Sequence, residues 1–161
     1  MKRSSIVFLQ VVIVLIGLAA VAGLLWEPHL EGRNATATLY EIYFQDPFLI
    51  VMYVGSIPFF VALYKAFRIL GYTAQNKSFS QPVVDAFRSI KYCALITAGA
   101  IVAVDVYLMT AARSREDDPA GAIALGVIAT FASIVIATAA AVIERVLQNA
   151  VDLKSENDLT V

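Results

Sequence analysis

The sequence predicts an all-α, polytopic membrane protein with four transmembrane helices. Of its 161 residues, 60% are hydrophobic and only 16% are charged, and the mean hydropathy is +0.75. Soluble domains carry about a quarter charged residues, so this deficit indicates that lipid is the main solvent. Four apolar runs reach the length of about 20 residues that is needed to cross a bilayer. None alternates with the period of two that is typical of barrel strands.

The four predicted spans divide a chain that we interpret as a single membrane domain, residues 1–161. They cover about 6–26, 48–70, 90–112 and 120–143. Gln10 interrupts the first span, Asp105 is the one acid in the third, and the fourth has no charge. The first run also resembles a signal peptide, because Ala20-Val21-Ala22 is similar to a cleavage site. Since the apolar stretch continues to Trp26, we favour an uncleaved helix.

The distribution of lysine and arginine predicts the orientation of the chain. Nine of the twelve basic residues fall at the two ends and in the middle loop: Lys2, Arg3, Lys65, Arg68, Lys77, Arg88, Lys91, Arg145 and Lys154. The other two loops contain only Arg33, Arg113 and Arg115. Basic loops remain in the cytoplasm, so we expect both termini and the middle loop to be cytoplasmic.

Two cytoplasmic segments have a helical pattern of their own. Ser80 can cap a helix with Pro82 in its first turn, and Val83 and Phe87 then share an apolar face, with Arg88 and Lys91 away from it. This pattern predicts a short amphipathic helix between the second and third spans, although a simple connector fits equally well. After the fourth span, residues 144–161 are predicted to form a helical tail that enters water.

Asp105 is the most informative single residue, because an acid inside a membrane helix is unfavourable without a partner or a function. At matching depth the second span offers Tyr53 and Ser56, and the fourth offers Thr130. One interpretation is a proton or cation site. The other is an acid that fixes helix packing, which we favour because no second intramembrane acid is present.

Small residues recur at intervals of four in the fourth span, at Ala129, Ser133, Ala137 and Ala141. Small side chains let membrane helices approach closely. The stripe predicts a contact inside the helix bundle, and a homodimer face is the alternative.

Several classes of function lack any supporting motif. One cysteine (Cys93) and one histidine (His29) cannot build a Cys or multi-His metal cluster. The sequence has no phosphate-binding loop, nucleophile elbow or zinc spacing, so we expect no enzyme and no cofactor. A net charge of -1 gives no reason to expect nucleic acid. The expected partners are the lipid bilayer, a membrane or cytoplasmic protein, or a second copy of the chain.

Two short motifs carry a resemblance to a known family. Lys77-Ser78-Phe79-Ser80 precedes the amphipathic stretch, and the chain ends in Glu156-Asn157-Asp158-Leu159-Thr160-Val161. With the four spans, these resemble a bacterial family of uncharacterised membrane proteins, domain-of-unknown-function family 2975, over nearly the whole chain. The family has no assigned activity or catalytic residues. Some members are encoded beside small helix-turn-helix regulators, which implies a sensor or immunity role in the inner (plasma) membrane.

The sequence therefore predicts an accessory, regulatory or immunity component that acts through protein contacts. The candidate partner surface consists of Phe79, Val83, Phe87, Glu156, Asn157 and Asp158. The alternative is a small oligomeric transporter or channel that uses Asp105.

Overall fold

The computed structural model describes residues 3–30, 47–112 and 120–158, and all four elements in these ranges are α-helices. They are α1 (Arg3–Leu30), α2 (Pro47–Ala74), α3 (Gln81–Ala112) and α4 (Ala120–Asp158). Each is long and apolar enough to cross a membrane. The predicted all-α membrane fold with four transmembrane helices is thus confirmed.

The helices pack chiefly on their neighbours in the chain. The contact between α3 and α4 is the most extensive, that between α2 and α3 is smaller, and that between α1 and α2 is the smallest. Contacts of α1 with α2 pair Gly17 with Leu63 and Leu24 with Tyr53, so these two helices run antiparallel. Neighbouring helices therefore form successive hairpins.

The protein core is concentrated in the last two helices. Among the described residues, one buried apolar side chain, Ile6, lies on α1 and none lies on α2. The other eight lie on α3 and α4: Val83, Val84, Ala86, Ile90, Ala94, Ala98, Ala137 and Ala140. Most large apolar side chains of α1 and α2 are exposed, as expected for helices whose outer surface faces lipid. The α3–α4 pair is therefore the most closely packed part of the described fold.

A tight turn connects α2 to α3. Asn76 has a φ of 57°, the left-handed conformation that commonly ends helices at glycine or asparagine. The Lys77 N–H donates to the Tyr72 carbonyl at 2.9 Å, which satisfies a carbonyl of the last turn of α2. At the start of α3, the Ser80 carbonyl accepts the Val84 N–H at 3.3 Å. The Ser80 hydroxyl donates back to the Lys77 carbonyl at 2.7 Å.

The predicted short amphipathic helix is not confirmed as a separate element. Residues 81–90 form the first turns of α3, which continues without a break to Ala112. The apolar face of this segment packs inside the protein instead of lying on a membrane surface, because Val83 and Val84 are buried. The helical tail predicted after the fourth span is likewise continuous with α4 as far as Asp158.

A proline creates the polar link between α1 and α2. Proline has no N–H, so Pro28 leaves the carbonyl of Leu24, four residues earlier, without its helical donor. The Tyr53 hydroxyl donates to this carbonyl at 3.0 Å. In lipid an unpaired carbonyl is unfavourable, and the bond therefore stabilises the α1–α2 contact. Pro58 lies inside α2, which continues on both sides of it.

Candidate functional site

The α3–α4 hairpin (residues 81–112 and 120–158) has a seam in which side chains recur at alternating intervals of three and four. This spacing is typical of helices that pack side by side over a long distance. On α3 the seam residues are Val84, Phe87, Lys91, Ala94, Ala98, Ile101 and Asp105. On α4 they are Gly126, Thr130, Ser133, Ala137, Ala140 and Glu144, and all of these side chains are buried or half-buried. Alanine and glycine at the centre of the seam allow close approach of the two backbones.

Glu144 is the centre of an ion-pair cluster at one end of the seam. Its side chain is only 11% exposed. Arg88 Nε donates to Oε1 and Lys91 Nζ donates to Oε2, both at 2.7 Å. Each carboxylate oxygen thus binds its own cation, and the two cations are three residues apart on α3. Charge-assisted bonds of this kind are among the stronger polar contacts in proteins.

The charges of this cluster balance. Asp85 lies 3.7 Å from Arg88 Nη1, so two acids offset two bases. The hydrogen bonds from Lys91 and Arg88 hold the pKa of Glu144 below its ordinary value of 4.5, against the opposite effect of burial. Because Glu144 is nearly enclosed, loss of its two cations would leave a buried carboxylate without a compensating charge, which is strongly destabilising. The cluster therefore fixes both the distance and the register of α3 against α4.

Polar contacts continue beyond the cluster. Gln81 and Gln148 join the two helices through their side-chain amides at 3.4 Å. Gln148 also donates to Asp152 at 2.8 Å. We call residues 81–91 and 144–158 the charged end of the hairpin. Within it, α3 and α4 remain paired as far as Gln81 and Gln148, more than one turn past the uncharged run of α4 that ends at Ile143.

Asp105 lies near the other end of the hairpin, in a very different environment. It is only 8% exposed. Its carboxyl group packs directly on Gly126 of α4, and a Cβ atom at that position would come within 2.5 Å of Asp105 Cγ. Within residues 3–30, 47–112 and 120–158, it has no hydrogen bond or ion pair. The absence of a side chain at Gly126 is thus what makes room for the acid.

The four residues of the predicted intramembrane site are not all brought together. Tyr53 points to α1, where it binds the Leu24 carbonyl, and the Ser56 hydroxyl donates to the Tyr53 carbonyl at 2.8 Å. Thr130 lies one turn from Gly126 on the seam of α4. Its buried hydroxyl has no hydrogen-bond partner in the described part of the chain. Asp105 and Thr130 therefore share the α3–α4 seam, whereas Tyr53 contacts α1 and the Ser56 hydroxyl bonds within α2.

The small-residue stripe of α4 is divided between two environments. Ala137 is buried, Ser133 and Ala141 are half-buried, and Ala129 is exposed. The buried part of this stripe falls on the seam with α3. The exposed Ala129 faces away from it.

The predicted partner surface is also divided. Val83 is only 2% exposed and Phe87 is half-buried, because both pack in the interior of the hairpin region. Val83 therefore cannot contribute to a surface. Phe79 is 61% exposed in the turn before α3. Glu156 and Asn157 are exposed at the end of α4, where Asp158 is the last helical residue.

The ion-pair cluster was missed by sequence reasoning. The sequence pattern predicts that Arg88 and Lys91 point away from the apolar face and that Glu144 begins a helical tail in water. One signal could have found the cluster, because Glu144 continues the spacing of Ala137 and Ala140. Lys91 continues that of Ala94 and Ala98 in the same way.

Comparisons with known proteins agree with this architecture. The model of a family described as "Protein of unknown function (DUF2975)" matches residues 31–161. This chain belongs to that family. It is 41% identical over 165 residues to the "Uncharacterized membrane protein YoaS" of Bacillus subtilis (strain 168), and the match covers 100% of both chains. No solved structure matches. The family match and the four apolar helices together establish a membrane protein of a family without a known function.

Proposed function

We propose that this protein acts through protein contacts, as a non-enzymatic accessory, regulatory or immunity component of the plasma membrane. The observation that carries the proposal is the paired charged end of the α3–α4 hairpin. Helix α4 has 39 residues, which is about 58 Å at 1.5 Å per residue. A hydrocarbon core is about 30 Å thick. Crossing the membrane therefore does not account for the length of α4.

The exposed face of the charged end supports a protein as the ligand. Val146 and Leu153 are 62% and 67% exposed and lie two turns apart on one side of α4. Arg145 precedes Val146, and Asp152 and Lys154 flank Leu153, so this part of the helix is not suited to lipid. An amphipathic helix with apolar residues at i and i+7 is a common form of helix-in-groove recognition. The partner that fits is a protein with an apolar groove or a second helix.

We further propose that the charged end and both termini face the cytoplasm. The nine-to-three distribution of lysine and arginine supports this orientation. Labelling of single cysteines in intact cells tests it. A cysteine at Asn157 should be protected from an impermeant reagent until the cells are opened, and labelling before opening contradicts the orientation.

Co-purification tests the contact function. The tagged chain is expressed at its native level and extracted in mild detergent, and the bound proteins are identified by mass spectrometry. We expect a stoichiometric partner that is lost from the double variant Val146→Gln, Leu153→Gln and reduced in a chain that lacks residues 156–161. Lys154→Gln is the matched control, because it changes the same helix outside the apolar stripe. Recovery of the protein alone from all samples would contradict the proposal.

A small oligomeric transporter or channel is the second candidate, and one observation favours it. Asp105 is a buried acid without a partner in the described part of the chain, and the unpaired Thr130 hydroxyl shares its seam. Intramembrane acids in transport proteins mark ion or proton pathways. In proteoliposomes, Asp105→Asn should abolish a flux of protons or sodium while the thermal stability stays unchanged. No flux through the natural protein would eliminate this candidate.

A further inference from the structure

The side of α2 that faces away from the protein has a continuous stripe of exposed apolar residues that ends at a cation. Its members recur at intervals of three and four: Val54, Ile57, Val61, Tyr64 and then Arg68. The side chains of Val54, Ile57 and Tyr64 are 61%, 57% and 58% exposed. From Val54 to Tyr64 the stripe is about 15 Å long, which is half of a hydrocarbon core of about 30 Å. It therefore matches the length of one leaflet.

Aromatic rings hold the Arg68 side chain in place at the end of this stripe. Its guanidinium carbon lies 6.0 Å from the centre of the Tyr64 ring and 5.4 Å from that of Tyr72. Arg68 also donates from Nη2 to the Tyr72 hydroxyl. Cation–π contacts at such distances are attractive. Because a guanidinium has five N–H donors, most of its donors are left for another ligand.

The charge of Arg68 is not compensated by the protein. Within the three described ranges, neither Arg68 nor Lys65, one turn earlier on α2, makes an ion pair with a carboxylate. This differs from the neighbouring helices, where Glu144 and Asp85 balance Arg88 and Lys91. Arg68 and Lys65 therefore place uncompensated positive charge on α2, next to the apolar stripe.

We propose that Arg68, oriented by Tyr64 and Tyr72, binds the phosphate of an anionic glycerophospholipid whose acyl chain lies along the Val54–Tyr64 stripe. The planar guanidinium fork matches phosphate geometry. The uncompensated charge of Arg68 and Lys65 selects a headgroup with net negative charge over a zwitterionic one. The stripe supplies an apolar surface that a soluble phosphate ester would not use. This inference does not depend on the proposed protein partner.

Native mass spectrometry of the detergent-purified full chain tests the proposal. Dioleoyl phosphatidylglycerol and dioleoyl phosphatidylcholine are titrated separately, and the fraction of lipid-bound protein is measured. We expect the natural protein to retain phosphatidylglycerol preferentially. Arg68→Gln should weaken that binding by about tenfold, the effect of one charge-assisted hydrogen bond. Lys154→Gln, which removes a positive charge from the far end of α4, should leave it unchanged.

Three outcomes would overturn the proposal. They are equal binding of the two lipids by the natural protein, undiminished phosphatidylglycerol binding by Arg68→Gln, and displacement of the lipid by millimolar inorganic phosphate. Arg68→Lys covers the case in which Arg68→Gln fails to fold. This substitution keeps the positive charge and removes the planar guanidinium group with its parallel N–H donors. We expect Arg68→Lys to bind phosphatidylglycerol more weakly than the natural protein, and natural-level binding would also overturn the proposal.

Discussion

Asp105 and Glu144 are both buried acids of the α3–α4 hairpin, yet their surroundings have little in common. They lie at opposite ends of the seam, about 27 Å apart as measured along α4 from Gly126 to Glu144. Glu144 binds two cations at 2.7 Å. Asp105 packs on a glycine and has no partner in the described part of the chain.

The difference separates two ways in which an acid can be kept inside a protein. At Glu144 the facing helix supplies the opposite charge, so the acid specifies which residues of α3 and α4 lie side by side. At Asp105 the facing helix supplies only space, so the acid adds no attractive polar contact to the seam. We therefore expect Glu144 to stabilise the hairpin and Asp105 to contribute little to its stability.

The largest expected effect is that of Glu144→Ala. Loss of the carboxylate removes two charge-assisted hydrogen bonds, from Arg88 and from Lys91. At about 1.5 kcal/mol for each bond, we expect a decrease of about 3 kcal/mol in the free energy of unfolding. Asp152→Ala is the control, because it removes an exposed acid from the same helix and should change the stability by less than about 0.5 kcal/mol. Denaturant unfolding in a mild detergent measures both values. Equal effects of the two substitutions would contradict a special role for Glu144.

Gly126→Ala should have the next largest effect. The new methyl group would overlap the Asp105 carboxyl group, and overpacking of this kind destabilises by about 2 kcal/mol. The same substitution in an Asp105→Ala background should be nearly neutral. Gly121→Ala is the matched control, since a Cβ there meets nothing within 4 Å. The double-mutant cycle fails to support the contact if the two substitutions are additive.

Low pH should decrease the stability of the α3–α4 hairpin, because it protonates Glu144. Its pKa is lower in the folded than in the unfolded protein, so the unfolded state binds protons first. The stabilisation is complete above the ordinary value of 4.5 and is lost as the pH falls through the lower folded-state pKa. Thermal unfolding between pH 6 and pH 3, compared with Glu144→Gln, isolates this contribution. An identical pH dependence in the two proteins would assign the effect to other groups.

The smallest expected effect is that of Asp105→Ala. An unpaired buried carboxyl group adds little favourable energy, so its removal should change the stability by less than about 1 kcal/mol in either direction. Thermal unfolding of this variant beside Glu144→Ala compares the two acids directly. A loss as large as that of Glu144→Ala would mean that Asp105 has a stabilising partner.

The sequence was sufficient for the features that depend on composition and run length. The four spans and the all-α membrane fold follow from hydropathy alone. Asp105 could also be singled out, because an acid in an apolar run is conspicuous. The helical state of residues 81–90 was predicted correctly, but not its continuity with α3, since a Ser-x-Pro start looks the same before a short helix and before a long one.

The sequence was not sufficient for features that depend on which helices touch. Tyr53 and Ser56 lie at a suitable depth for Asp105, but depth does not determine which way a side chain points. Tyr53 is turned towards α1 by the carbonyl that Pro28 leaves free. The Glu144 cluster joins residues more than 50 positions apart in sequence, and its register becomes visible only when α3 and α4 are placed side by side.

Cross-linking in native membranes tests most directly whether α3 and α4 stay paired along the charged end. In a Cys93→Ala background, the pair Gln81→Cys and Gln148→Cys is treated with a short bis-maleimide. The control pair, Gln81→Cys and Asn157→Cys, lies about 13 Å further along α4. The paired hairpin predicts rapid cross-linking of the first pair, little of the second, and a loss of this preference in Glu144→Ala. Equal reactivity of both pairs in the natural background would contradict it.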